Sequence, residues 1–335
     1  MHPPAAPAAP VPPAAPTAPT PAIAVQDVWR AFGAVQAVAG LTLTAPSGKV
    51  TALVGPNGCG KSTLMLMLAS LLAPDRGSIR VGGIDPIADP QQVRAMVGWM
   101  PDQFGTWDSL KVREVLELHG RAYFLPRPRL TERVSQLLLD LDLESLAGQS
   151  AHVLSRGQKQ RLGLARALVH DPRVLILDEP ASGLDPAARR NLMRIVRNFV
   201  ADGTRAVLIS SHILTELEEM ADEVVLMDGG ELVQQASVRD LAQRPRPWRI
   251  QSLDERAFAS ALEQLGVRGV TFVPAERSTS GNAEALVTLP NPETAARLLA
   301  DLTAKQARIV GFGPASGRLE SAYLASSAAQ RKGAL

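Results

Sequence analysis

The chain has little cysteine, few aromatic residues and no long apolar run. Its 335 residues include a single cysteine, Cys59, so an intramolecular disulfide is impossible. That fits a reducing compartment. Aromatic residues make up only 4% of the chain, and the net charge is +2 with no basic block, so a broad nucleic-acid-binding surface has little support and none is expected. The longest apolar run, "TLMLMLASLL" (63–72), is about half of the roughly 20 residues a bilayer span needs. The start, "MHPPAAPAAPVPPAAPTAPTP", lacks both a basic opening and an unbroken apolar stretch, so it is not expected to be a signal peptide. Its prolines predict an extended tail over residues 1–22. No internal repeat, sustained heptad pattern or guanine-reading N-K-x-D motif is present. The missing N-K-x-D excludes a small GTPase.

What is present alternates strand and helix patterns. Short β-prone runs stand at 23–28, 41–45 and 50–54. A helix is expected from Lys61 to near Pro74, a strand in "GSIRVGG" (77–83), and mostly helix over 111–170. "VLIL" (174–177) is bounded by acids and reads as a buried parallel strand. A helix (187–201), "AVLIS" (206–210), another helix (213–221) and a hairpin candidate (223–233) follow. This alternation predicts an α/β fold with a mostly parallel sheet under helices. The composition changes at "RPRPW" (244–248), which suggests a boundary between residues 23–244 and 245–335. Beyond it the pattern is β-α-β-β-α-β, the ferredoxin-like order, with a last helix in "GRLESAYLASS".

"GPNGCGKST" (55–63) follows a β-run and opens a helix, the context of a phosphate-binding loop. Glycines let the backbone of Gly55, Pro56, Asn57, Gly58, Cys59 and Gly60 wrap a phosphate chain, with amides pointing inward at a helix N-terminus. Lys61 can reach the β- and γ-phosphates, Ser62 can offer its hydroxyl to Mg²⁺, and Thr63 can support the phosphates. Cys59, at a variable position of the loop, reads as a small tolerated side chain. In "RVLILDEP" (173–180), Asp178 ends an apolar strand where it can hold Mg²⁺ or a metal-bound water. Glu179 beside it can polarise an attacking water.

Taken together, these motifs make residues 23–235 resemble the nucleotide-binding cassette of ABC transporters. "GPNGCGKST" resembles Walker A, "LSRGQ" (154–158) the family signature LSGGQ, "VLILDEP" Walker B, "SGLDP" (182–186) the D-loop and "SSH" (210–212) the switch region. The resemblance implies a P-loop NTPase core of mostly parallel sheet, with an antiparallel part and a helical subdomain. It implies ATP and Mg²⁺ as ligands, ATP hydrolysis, separate membrane permease subunits as partners, and a place on the cytoplasmic face of the membrane. It also implies a head-to-tail pair of cassettes. Ser155, Gly157 and Gln158 of one copy then grip nucleotide held by the other, and Asp185 contacts the opposite subunit.

By the same resemblance, Phe32 stacks on adenine, although an edge-strand core residue is a rival reading, and Val38 adds an apolar contact. His212 bonds the γ-phosphate and keeps Glu179 in register. Two positions depart from the family pattern. Arg156 replaces a signature glycine, and Asp102 stands where glutamine usually follows the proline, with Gln103 next. Asp102 ranks first and Gln103 second for that metal-sensing role. Both departures resemble variants in ATPases of type-2 exporters, some of which append an accessory domain like residues 245–335. Soluble cassette proteins of translation or DNA repair fit less well. They carry two cassettes or a long coiled coil, whereas only the stretch from Thr63 to Leu154 separates Walker A from the signature here.

Overall fold

The computed structural model describes residues 21–103, 105, 109–211, 214–242, 244–274, 282–315 and 317. Three expectations therefore lie outside the described residues: the Pro/Ala-rich tail up to residue 20, His212, and the helix after Gly317. Ala22 is already buried, so the chain joins the core there.

Among the described residues, six strands form the central sheet, in the order β5 (Val97–Met100), β6 (Val174–Leu177), β7 (Ala206–Ser210), β3 (Val50–Val54), β8 (Glu223–Asp228) and β9 (Glu231–Ser237). The first five run parallel, and the turn after β8 returns β9 antiparallel, as the hairpin pattern predicted. Every residue of β3, β6 and β7 is buried, because helices or strands cover both faces. Successive side chains of a strand point to opposite faces, and the packing follows that rule. Leu175, Leu177, Val207 and Ile209 join one core. Val174, Ile176, Ala206 and Leu208 join the other.

The first face carries α3 (Val112–Ala122), α4 (Arg127–Asp140), α5 (Arg156–Leu168) and α6 (Pro186–Val200), together with part of α7 (Leu214–Met220). The second carries α1 (Lys61–Leu68) and a separate antiparallel sheet in the order β2 (Val35–Ala45), β1 (Ile23–Phe32), β4 (Arg76–Val81). α1 is shorter than expected. It ends at Leu68, and Ser70 adopts a left-handed φ of 57°.

β5 and the preceding α2 (Pro90–Met96) had no signal in the sequence reading. The strand has four residues, one of them Gly98, which looks like a turn residue in a linear reading. Packing supplies the reason for the glycine: a Cβ there would lie 2.3 Å from the Ala167 carbonyl oxygen, so only glycine lets α5 approach the sheet edge.

A short α8 (Val238–Ala242) precedes the C-terminal elements. These are β10 (Arg246–Ser252), α9 (Glu255–Gln264), β11 (Val270–Val273), β12 (Ala283–Leu289), α10 (Pro292–Ala304) and β13 (Ile309–Pro314). The sheet order β11-β12-β10-β13, antiparallel throughout, is the ferredoxin-like arrangement. It encloses its own core around Phe258, Leu262, Val287 and Leu302.

Candidate nucleotide site

The C-terminal ends of β3, β6 and β7 lie side by side, because β7 pairs with both neighbours. Parallel sheets bind ligands at those ends. β3 runs into the glycine-rich loop, β6 into Asp178 and Glu179, and β7 into Ser210 and Ser211.

The loop turns into α1 through Gly60, at φ 99°. A Cβ at Gly60 would lie 2.1 Å from the Ala37 carbonyl oxygen, so both the conformation and the close approach require glycine. The loop closes around Lys61, whose ammonium donates to the carbonyl oxygens of Gly55 (2.8 Å) and Pro56 (3.0 Å) and is 8% exposed. Cys59, read from the sequence as a small tolerated loop side chain, does not line the cavity that the loop borders. It is buried in the core beneath the loop, and burial pushes its thiol pKa up.

One hydrogen-bonded chain links the strand ends. The Ser62 hydroxyl donates to Asp178 Oδ2 at 2.7 Å. Ser210 Oγ donates to Asp178 Oδ1 at 2.6 Å and accepts from the Glu179 amide at 3.0 Å. Both Asp178 and Ser210 are buried. Glu179 follows with φ 53°, in the left-handed region where non-glycine residues are uncommon. It precedes Pro180, which disfavours the right-handed helical conformation at Glu179. Ser210 carried no assigned role in the sequence reading. Its only signal was its place before Ser211 and His212, and the contact to Asp178 spans 32 residues.

A cavity of about 240 Å³ opens above these groups. It is lined by Asn57, Gly58, Gly60, Lys61, Ser62 and Thr63 from the loop, by Asp102, Asp178 and Glu179, and by Val35 and Ala37. Gln103 does not line it. Gln103 faces a neighbouring cavity of about 430 Å³ with Asp102, Arg156, Lys159 and Gln160. Val38 departs from its expected place: it is fully buried, and Val35 and Ala37 hold the apolar wall instead. Phe32 pairs with Val35 across the strands and is 48% exposed, which removes the core reading for it. The Arg30 guanidinium covers one side of its ring, 4.8 Å from the centroid.

Ser155, Gly157, Gln158 and Asp185 do not line the 240 Å³ cavity. They stand at two helix starts. Ser155 Oγ accepts the Gln158 amide (3.3 Å), and Gln158 Oε1 accepts the Ser155 amide (2.8 Å), a reciprocal cap of α5. Asp185 accepts the amides of Ala187 and Ala188, both at 2.9 Å, and these bonds hold its carboxyl below the usual range. The motif "DP" is thus an N-cap followed by proline at the first helical position.

The donor set fits Mg²⁺. The cation takes oxygen ligands, typically one or two carboxylates plus phosphate oxygens, and Ser62 and Asp178 bring a hydroxyl and a carboxylate together with Asp102 on the same cavity. Among the described residues no cluster of three or more His, Cys, Asp or Glu offers a metal cage of another type. No described helix is long and apolar enough to cross a membrane.

Comparison with known proteins agrees with this geometry. Residues 38–182 match the ABC transporter family. The chain is 43% identical over 207 residues to the probable multidrug ABC transporter ATP-binding protein YbhF of Escherichia coli, covering 62% of this chain but only 36% of that protein's length. It is 31% identical over 307 residues to the daunorubicin/doxorubicin resistance ATP-binding protein DrrA of Streptomyces peucetius, covering 91% of this chain and 92% of the relative. A solved structure of the ATP-binding subunit of an ABC transporter superposes with a TM-score of 0.62 at 25% identity, over 84% of this chain and 99% of the other. A buried phosphate-loop lysine, a serine–aspartate pair at the converging strand ends and these relatives lead to one conclusion: the chain belongs to the ABC transporter family, as an ATP-binding subunit.

Proposed function

We propose that this chain hydrolyses ATP to power export through separate membrane permease subunits, on the cytoplasmic face of the membrane. The observation that carries the reading is the chain Ser62–Asp178–Ser210–Glu179, which ties the phosphate loop to the acidic strand end. In this reading Lys61 leaves its loop carbonyls for the β- and γ-phosphates. Backbone amides of residues 57–60 and the α1 N-terminus hold the phosphate chain. Ser62, Asp178 and Asp102 hold Mg²⁺, which when bound offsets the charge of the phosphates. Glu179 takes a proton from the attacking water, and His212 holds the γ-phosphate. Phe32 offers its open face to adenine.

Two copies sandwich ATP head to tail, so that Ser155, Gly157 and Gln158 meet the partner's nucleotide and Asp185 meets the partner. Their separation from the chain's own cavity supports this arrangement. The names of the relatives, multidrug and daunorubicin/doxorubicin resistance, favour amphipathic drugs as cargo. Residues 23–244 form the ATPase domain and 245–335 an accessory domain, a division favoured by the separate C-terminal core.

Replacing Glu179 by Gln tests the reading. MgATP binding is expected to persist while turnover falls by roughly 10²–10⁴, the scale of a lost general base. Size-exclusion with MgATP is expected to show a trapped dimer. Hydrolysis at the wild-type rate would remove Glu179 as the base, and a monomer at saturating MgATP would remove the sandwich.

A further inference from the structure

Arg156 is the residue that sets this signature apart, and its side chain is committed within its own subunit. Its Nη2 donates to Ser182 Oγ at 2.6 Å. Its stem lies against Gly183, where a Cβ would come within 2.9 Å of Arg156 Cδ. Gly183 adopts φ 76°, a left-handed conformation that favours glycine.

One helical turn further along α5, Gln160 lies on the same face. It is buried, and its Nε2 donates to the Glu179 carbonyl at 3.2 Å. The Ser182 amide donates to that same carbonyl at 3.1 Å. The strained turn of Glu179 is therefore held at both ends. Ser210 takes its amide, while Gln160 and Ser182 supply its carbonyl, and Arg156 fixes Ser182. Both residues also line the 430 Å³ cavity beside Asp102, so the α5 face reaches from the turn to the edge of the nucleotide cavity.

We propose that Arg156 and Gln160 are positioning residues for this chain's own Glu179. The signature helix then has two faces with two tasks. Its N-terminal edge meets the partner's nucleotide, while the Arg156–Gln160 face clamps the Glu179–Gly183 turn of the same subunit. The inference rests on the ATPase reading above for its role in turnover, but the clamp itself is a property of the nucleotide-free chain.

The full-length chain is compared with Arg156→Ala, Ser182→Ala, the double variant, Arg156→Lys and Gln160→Met. Two quantities are read: kcat and KM for MgATP, and amide exchange of the 179–184 segment without nucleotide. Loss of one charge-assisted hydrogen bond predicts about a tenfold fall in kcat, with KM changed less than about twofold. The double variant is expected to be no worse than Arg156→Ala, since both remove one bond. Arg156→Lys keeps the charge and recovers part of kcat, and Gln160→Met lowers kcat in the same way. Exchange over 179–184 is expected to quicken in every variant except Arg156→Lys. If Ser182→Ala behaves as wild type while Arg156→Ala raises KM alone, Arg156 is a phosphate contact and the clamp is overturned. Unchanged exchange in both Arg156→Ala and Ser182→Ala overturns it as well. A wild-type chain without ATPase activity defeats the proposed function and leaves the exchange result to decide the clamp.

Discussion

Cys59 shows how a residue in a functional loop is governed by the core below it. It sits between Gly58 and Gly60, yet it is buried in the core cluster that includes Leu64 and Met65 and does not line the cavity. Burial raises the thiol pKa, against the opposing pull of Lys61. A buried, protonated thiol is a poor nucleophile. Maleimide labelling of the native chain at pH 7.5 is therefore expected to run at least about tenfold slower than in denaturant. Fast native labelling that MgATP blocks would instead place the sulfur in the nucleotide path. Ser210 makes the complementary point. A serine at the end of an apolar strand looks like a strand terminator in a linear reading, but here its one hydroxyl serves both Asp178 and Glu179. Its proton goes to Asp178 and a lone pair takes the Glu179 amide, which neither aspartate nor alanine could reproduce.

Among the elements, α5 falls within the 111–170 stretch that reads as mostly helical, and the reciprocal Ser155–Gln158 cap starts it. What it packs against was not readable. Near its C-terminal end, Val169 and His170 follow the last turn, and the His170 ring stacks on Tyr123 of the α3 C-terminus with centroids 3.8 Å apart. His170 Nε2 donates to the Val97 carbonyl at 3.1 Å, tying this helix end to the edge strand β5. Burial lowers the pKa of His170 to about 4, and that of His119 on α3 likewise. Both histidines are thus neutral when folded, whereas in the unfolded chain they take up protons near 6.5. The unfolded state binds more protons between these values, so stability is fully present above about pH 6.5 and is lost as the pH falls towards about 4. Urea midpoints over pH 4–7 are expected to fall with pH and to fall less steeply in His170→Gln than in wild type. Equal slopes would mean that His170 takes up its proton in the folded chain as readily as in the unfolded one.

At the scale of the molecule, the described residues form three cores. Two flank the central sheet, and the buried residues of the third lie between Ile250 and Ala307. Phe258 is fully buried in that third core and meets Phe272 edge-on, with centroids 6.0 Å apart. Phe258→Ala is expected to destabilise the C-terminal elements by about 3–5 kcal/mol. Segment-resolved amide exchange should show the loss in 246–314, with MgATP affinity unchanged. Loss of nucleotide binding in that variant would mean that the two parts fold as one unit.

By itself, the order of residues determined the strand–helix alternation, the phosphate loop, the acidic strand end and the C-terminal β-α-β-β-α-β pattern. Each is local: periodicity, glycine freedom and capping chemistry act within a few residues of chain. Only the tertiary structure decided which side chains meet. It placed β7 between β3 and β6 and so brought Ser210 to Asp178. It sank Val38 and Cys59 while leaving Val35 and Ala37 on the cavity wall. It set Arg156 and Gln160 against a turn some twenty residues later in the chain. These outcomes depend on strand order and on how closely backbones approach, here permitted by Gly60, Gly98 and Gly183, and such long-range steric fit leaves no periodic trace in the sequence.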